Sequence, residues 1–142
     1  MEKVGDMIYT HGGVSSQVNQ INSSISDINK LARPFYGDTS YNYPNIKLDI
    51  IYSDLGPFWY RGYYKPPRAG VAQIDSTLNI YGVNQITTGH TIISTEIRSL
   101  YNGKLYDTDV HHAEGQSEAL LIDDKKFMRV NNKGEKFEIK PV

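Results

Sequence analysis

Apolar residues recur at helical spacings in the first half of the chain and at strand-like spacings towards its end. A short β-prone run, Met7–Thr10, predicts a buried strand that ends abruptly at a histidine followed by two glycines. From Ser15 or Ser16 onward, apolar positions spaced three and four apart continue to Leu31 and stop before Pro34. This pattern predicts one amphipathic helix over these residues.

The middle of the chain carries weaker signals. Residues 35–44 are rich in Gly, Pro, Asn and Asp and predict a surface loop. Residues 45–53 fit a short helix and also an alternating strand, and we favour the helix. Val71–Tyr81 predicts a second amphipathic helix, with Gly82 as its C-cap.

Strand signals dominate the rest of the chain. Gln85–Thr88 predicts a strand that leads to another histidine, and Asn102-Gly103 is a strong hairpin turn between residues 95–101 and 104–108. Three further strands are predicted at Glu118–Asp123, Lys126–Val130 and Glu135–Ile139. The whole pattern predicts one domain of the α+β class (α/β-like), with two amphipathic helices followed by a β meander.

The composition narrows the classes of partner. Fifteen Lys and Arg residues against sixteen Asp and Glu residues leave a net charge of -1, which excludes the basic field that attracts nucleic acid. No apolar run approaches the roughly 20 residues that a membrane-spanning helix needs, and Met1–Asp6 lack the layout of a signal peptide. We therefore expect a soluble chain without a nucleic-acid or membrane partner, in a compartment that the sequence leaves open.

The chain contains no cysteine. Disulfides and thiolate metal sites are therefore excluded among these residues. A transition metal bound here would need imidazole, carboxylate or amide ligands.

Two histidines are the first candidates for chemistry, because each follows a predicted strand. His11 precedes Gly12 and Gly13, and His90 follows Gly89. Sites in open α/β sheets gather at the carboxyl ends of strands, so we expect the two imidazoles to converge. Glycines beside them would let the backbone approach an ion or a phosphate without a Cβ in the way.

An arginine lies among aromatic residues between these two histidines in the sequence. Arg61 follows Trp59 and Tyr60, and its guanidinium suits forked hydrogen bonding of a phosphate. The alternative is an arginine stacked on a surface ring, or a plain aromatic core segment. This stretch by itself favours that alternative.

A second pair of histidines, His111 and His112, lies near Asp107 and Asp109. Adjacent side chains on a strand point to opposite faces, so both imidazoles cannot easily bind one ion. We interpret this pair as solvated or supporting groups.

Three of these stretches, taken in order, resemble motifs of the calcineurin-like metallophosphoesterase superfamily, in its serine/threonine phosphatase-like branch. Thr10–Ser15 resembles its His-Gly-Gly motif, Thr88–Thr91 its last Gly-His motif, and Phe58–Gly62 a segment whose arginine contacts the substrate phosphate. The resemblance implies the C-terminal half of a two-sheet αββα sandwich. It also implies a role for each matching residue: His11 and His90 as metal ligands, Arg61 as the catalytic phosphate contact, and Gly12, Gly13 and Tyr60 as substrate-binding residues.

The earlier motifs of that superfamily, Gly-Asp-x-His, Gly-Asp-x-x-Asp-Arg-Gly and Gly-Asn-His-Glu, do not occur in this sequence. The resemblance therefore implies that residues 1–142 are a partial domain without its N-terminal half. The complete domain would hydrolyse phosphoesters with two divalent metal ions (Mn, Fe or Zn), whereas this chain alone would bind metal weakly or not at all and be inactive.

The expected partners are a phosphoester substrate and the missing N-terminal half. The opening strand would lack a neighbour, so we also expect self-association through an exposed sheet edge. The alternative function is a non-catalytic binding or interaction module, in which the aromatic wall near Trp59 recognises a ligand without chemistry.

Overall fold

A five-stranded mixed sheet organises the molecule, in a computed structural model that describes all 142 residues. Its strands are β1 (Glu2–Val4), β2 (Met7–Thr10), β3 (Gln85–Thr88), β4 (Arg98–Leu100) and β5 (Leu105–Asp107), in the spatial order β1-β2-β3-β5-β4. The three inner strands run parallel, and β1 and β4 are antiparallel to their neighbours. The carboxyl ends of β2, β3 and β5 therefore lie side by side.

The chain has four helices, α1 (Ser16–Gln20), α2 (Ile25–Ala32), α3 (Ile46–Tyr52) and α4 (Val71–Tyr81). They form a layer that packs on one face of this sheet through α4. Alternate residues of the inner strands point towards them, so Ile8, Ile86 and Leu105 share a buried cluster with Ile74 and Leu78 of α4. Gly82 ends α4 in the left-handed conformation, with a φ of 58°, which confirms the predicted C-cap.

A second, antiparallel sheet covers the opposite face. It consists of β6 (Glu118–Asp123), β7 (Lys126–Asn131) and β8 (Lys136–Glu138). Tyr106 on β5 stacks on Phe127 of β7, with ring centroids 4.5 Å apart. The layers are thus helices, mixed sheet and small sheet, and the coarse prediction of a mixed α and β fold is confirmed.

The helix predicted from Ser16 to Leu31 is two helices in the structure. Asn22 has a φ of 50°, which interrupts the helical backbone. The side chain of Ser24 then accepts a hydrogen bond from the backbone N–H of Asp27 at 3.1 Å and caps α2. The apolar spacing continues across the break, so it gave no sign of the interruption.

The prediction for the opening strand was wrong in one respect. β1 pairs with β2 through Glu2 and Tyr9, Lys3 and Ile8, and Val4 and Met7. The outer edge of the sheet is therefore a three-residue strand and not β2. The sequence pattern did not predict β1, because all three of its residues are exposed and show no apolar alternation. Self-association stays a prediction.

The remaining strand predictions agree with the structure in place and order. The Asn102-Gly103 turn joins β4 to β5, and the last three predicted strands are β6, β7 and β8. They form a sheet of their own and do not continue the first one. No helix is long and apolar enough to cross a membrane.

Candidate functional site

His11 and His90 meet at the carboxyl edge of the mixed sheet. Thr10 and Thr88, the last residues of β2 and β3, are paired in register, so the two loops that follow leave the sheet side by side. The imidazole centroids of His11 and His90 are 4.7 Å apart, with a tilt of 53° between the rings. The backbone N–H of Gly89 donates to the carbonyl of His11 at 2.9 Å and ties the two loops together.

His90 has an unusual backbone and an unusual ring. Its φ is 69°, in the left-handed region that few residues other than glycine adopt. Its Nε2 atom is buried and has no hydrogen-bond partner. Burial lowers the pKa of the imidazole below its ordinary value, and the charges of Arg61 and His11 lower it further. The lowered pKa favours the neutral imidazole, and its buried Nε2 atom is left unpaired.

Arg61 and Lys65 bring positive charge to the same edge. Both side chains are exposed, and neither forms an ion pair with a carboxylate. Both lower the pKa of His90, so their charges lie close enough to act on that imidazole. Unpaired cations beside the histidine pair favour an anionic ligand.

The glycines after His11 have a packing role that the sequence did not reveal. A Cβ on Gly12 would lie 2.7 Å from the backbone N of Tyr60, and one on Gly13 would lie 2.7 Å from the ring of Tyr63. The N–H of Gly12 also donates to the carbonyl of Pro57 at 2.7 Å. These glycines hold the loop against the aromatic segment, and their contact with a substrate stays a prediction.

Tyr60 is buried and engaged within the fold. Its hydroxyl accepts a hydrogen bond from the side chain of Gln73 on α4 at 2.9 Å, and its ring stands edge-on to Tyr63 at 5.1 Å. Its contact with a substrate also stays a prediction.

Asp107 is a group that the sequence named only as a neighbour of the second histidine pair. It ends β5 beside Thr88 and is 2% exposed. Burial raises the pKa of its carboxyl to about 7, although the N–H of Asp109 donates to it at 3.2 Å. The sequence did offer one sign of this residue, since Asp107 is a carboxylate at the end of the predicted second strand of the Asn102-Gly103 hairpin.

The second histidine pair lies in a short turn after β5. His112 is exposed, and His111 faces Glu114 at 3.2 Å. Neither lies in the buried core. Their positions agree with the interpretation as solvated groups.

No group of three or more His, Cys, Asp or Glu side chains gathers to hold a metal ion in this chain. These residues do not form a complete metal site by themselves, so the description of the chain as carrying a metal site is corrected. Two imidazoles alone do not complete a protein metal site, which normally has three or more protein ligands.

No family model and no curated protein match the chain. Three solved structures do, and all are of a cold-active protein tyrosine phosphatase. The one described as from a psychrophilic Shewanella species is 27% identical, with a TM-score of 0.84 over 95% of this chain and 41% of that chain. A mutant of the cold-active protein tyrosine phosphatase is also 27% identical, with a TM-score of 0.85 and the same coverage. The chain thus spans about two fifths of the structures it matches.

The predicted family is corrected by these findings. The matching structures are described as protein tyrosine phosphatases, not as calcineurin-like metallophosphoesterases, and the names calcineurin-like and metallophosphoesterase are not retained. The motifs behind that identification are short, and close packing accounts for Gly12 and Gly13. What the comparisons show is a likeness in fold to these phosphatase structures.

Proposed function

We propose that this chain forms part of a phosphatase active site that hydrolyses phosphomonoesters at the edge carrying His11, His90 and Arg61. The observation that carries the proposal is the meeting of the two imidazoles, 4.7 Å apart, at the ends of two parallel strands. The likeness to protein tyrosine phosphatases at 27% identity supports the same chemistry.

Each residue has a part that its surroundings suit. The guanidinium of Arg61 is free of carboxylates and presents a planar fork to a phosphate dianion. Lys65 adds charge without fixed geometry. The lowered pKa of His90 favours its neutral form, and its buried Nε2 has no hydrogen-bond partner within the chain. The chain has no cysteine, so none of its residues supplies a thiolate nucleophile.

Two divalent metal ions (Mn, Fe or Zn) remain part of the proposal. The buried, unpartnered Nε2 of neutral His90 suits a metal, and His11 lies beside it. The other ligands would have to come from residues outside these 142. When bound, such ions stabilise negative charge on a phosphoryl group and lower the pKa of a bound water.

Zinc titration by calorimetry tests the metal proposal without an activity assay. We expect weak binding by the unmodified chain, with a loss of that binding in H11A and in H90A. H112A is the matched control and should bind as the unmodified chain does. Binding that survives in H11A and H90A but disappears in H112A would overturn the assignment.

Phosphate binding tests the proposed function itself. Calorimetric titration of the full chain with inorganic phosphate should show binding that R61A weakens by about ten-fold or more, because a forked, charge-assisted contact is lost. R33A removes an exposed arginine elsewhere and is the control. Equal affinities in R61A and R33A would contradict the proposal.

A non-catalytic binding module remains the second candidate. It is favoured by one observation, the half-exposed Trp59 beside the histidine pair. Hydrolysis of an aryl phosphate by the chain, once the metal ligands from outside these 142 residues are supplied, would contradict this second candidate.

A further inference from the structure

The turn between β4 and β5 carries the one asparagine of this chain that is followed by a glycine, Asn102-Gly103. Asn102 is exposed and has a φ of 55°, and Gly103 has a φ of 84°. A Cβ on Gly103 would lie 3.6 Å from the side chain of Pro141, an ordinary contact distance. Packing therefore does not shield this pair of residues from water.

The peptide group between Asn102 and Gly103 takes part in no hydrogen bond. Among the backbone hydrogen bonds of the chain, none uses the N–H of Gly103 or the carbonyl of Asn102. The turn is closed instead by the N–H of Lys104, which donates to the carbonyl of Tyr101 at 3.4 Å. The side-chain hydrogen bonds of this turn also belong to Tyr101 and Lys104, which leaves the side-chain amide of Asn102 free.

A free asparagine amide can react with the backbone nitrogen that follows it. The nitrogen of Gly103 attacks Cγ of Asn102, and a bond between these two atoms forms. The bond from Cγ to Nδ2 breaks, and Nδ2 takes up the proton that the Gly103 nitrogen loses and leaves as ammonia. The product is a cyclic imide, and no oxidant or reductant takes part. Because glycine has no Cβ, nothing on Gly103 hinders this approach.

We propose that Asn102-Gly103 is a site of spontaneous deamidation, at which this imide forms and water then opens it to aspartate and isoaspartate. Attack of water at Cγ breaks the new C–N bond, restores the main chain and leaves aspartate. Attack at the main-chain carbonyl carbon breaks the original peptide bond, so the chain then runs through the side chain as isoaspartate. The reaction involves no residue of the candidate site.

The modification changes a turn on which the pairing of two strands depends. Either product replaces the neutral amide of Asn102 with a carboxylate. Isoaspartate also lengthens the main chain by a carbon atom, between strands that pair in register from Leu100 and Leu105 onward. The N–H of Asn102 donates to the carbonyl of Val142 at 2.9 Å in the unmodified protein. Isoaspartate therefore alters the covalent geometry at both of these contacts.

Asn22 is a matched control within the same chain. It is exposed, and its φ of 50° is also left-handed, but the next residue is Ser23. The Cβ of that serine lies beside the nitrogen that would attack, and it hinders ring closure. Asn22 and Asn102 thus share exposure and backbone conformation and differ in the residue that follows.

Peptide mapping by mass spectrometry tests the proposal on the full chain. The protein is incubated in neutral and in mildly alkaline buffer, and the loss of each asparagine amide is followed over weeks. We expect Asn102 to react about ten-fold faster than Asn22 or more, because no Cβ hinders the closure. The alkaline buffer should accelerate the reaction, since the attacking nitrogen must lose its proton. Isoaspartate should appear beside aspartate, whereas direct hydrolysis of the amide yields aspartate alone.

Two surface variants assign the reaction to its residue by the release of ammonia. N102Q keeps an amide but lengthens the side chain, which slows ring closure, so the early release of ammonia should disappear. N22Q is the control and should release ammonia as the unmodified chain does. Equal rates at Asn102 and Asn22, a product at Asn102 without isoaspartate, or an unchanged release of ammonia in N102Q would each overturn the proposal.

Discussion

At the scale of single residues, His90 combines features that a plain structural histidine does not need. Its left-handed backbone costs on the order of 1–3 kcal/mol, and its buried Nε2 lacks a partner. Its ring contacts those of His11 and Trp59. The surrounding structure keeps a neutral imidazole in a costly position at the end of β3, which is the kind of outlier from which a functional hypothesis can start.

The buried carboxyl of Asp107 gives a prediction of pH dependence. Its pKa rises from 3.8 to about 7 on folding, so the unfolded chain ionises above about pH 4 while the folded chain keeps the proton to about pH 7. The free energy of unfolding should therefore fall as pH rises through this window, by up to roughly 4 kcal/mol. D107N keeps a neutral side chain of the same shape and should become more stable relative to the unmodified chain as pH rises from 4 to 7.

Urea unfolding at a series of pH values measures this difference. D123N, at an exposed carboxyl at the end of β6, is the control and should follow the unmodified chain. A difference between D107N and the unmodified chain that stays constant from pH 4 to 7 would show that Asp107 is ionised throughout.

At the scale of elements, the break between α1 and α2 depends on capping. The α2 face that includes Ile28 and Ala32 is buried in a cluster with Val18 of α1. Helices of five and eight residues are too short to be stable alone. Packing stabilises both helices, and the Ser24 cap stabilises α2.

Removal of that cap should destabilise the protein. S24A leaves the backbone N–H of Asp27 without its acceptor, and we expect a loss of about 1 kcal/mol in the free energy of unfolding, measured in urea. S26A is the matched control, because Ser26 is exposed within the same helix. A loss in S26A as large as that in S24A would mean that the hydroxyl of Ser24 is not a cap.

At the scale of the whole molecule, the layered arrangement gathers the candidate site at one edge of the mixed sheet. Three parallel strands end there, and the aromatic segment from the helical layer brings Trp59 and Arg61 to the two histidines. The chain covers 41% of the phosphatase structure it matches. We therefore propose that the complete catalytic site also includes residues outside these 142.

Much of the fold could be predicted from the pattern of the sequence. The helix at Val71–Tyr81, its glycine cap and the strands around Asn102-Gly103 follow from local periodicity and turn chemistry. The strand Glu2–Val4 could not, because it is exposed and owes its conformation to pairing with β2. The break at Asn22 was also hidden, since the apolar spacing does not change there.

For the candidate site, too, some features could be predicted from the sequence and others only from the structure. The sequence by itself determined that His11 and His90 would each follow a strand, because local patterns are enough to locate strand ends. Only the tertiary structure decided that the strands are parallel neighbours in register, that Gly12 serves close packing, and that Asp107 is buried. These are properties of contacts between residues far apart in the chain, and local hydrophobic spacing carries no information about such contacts.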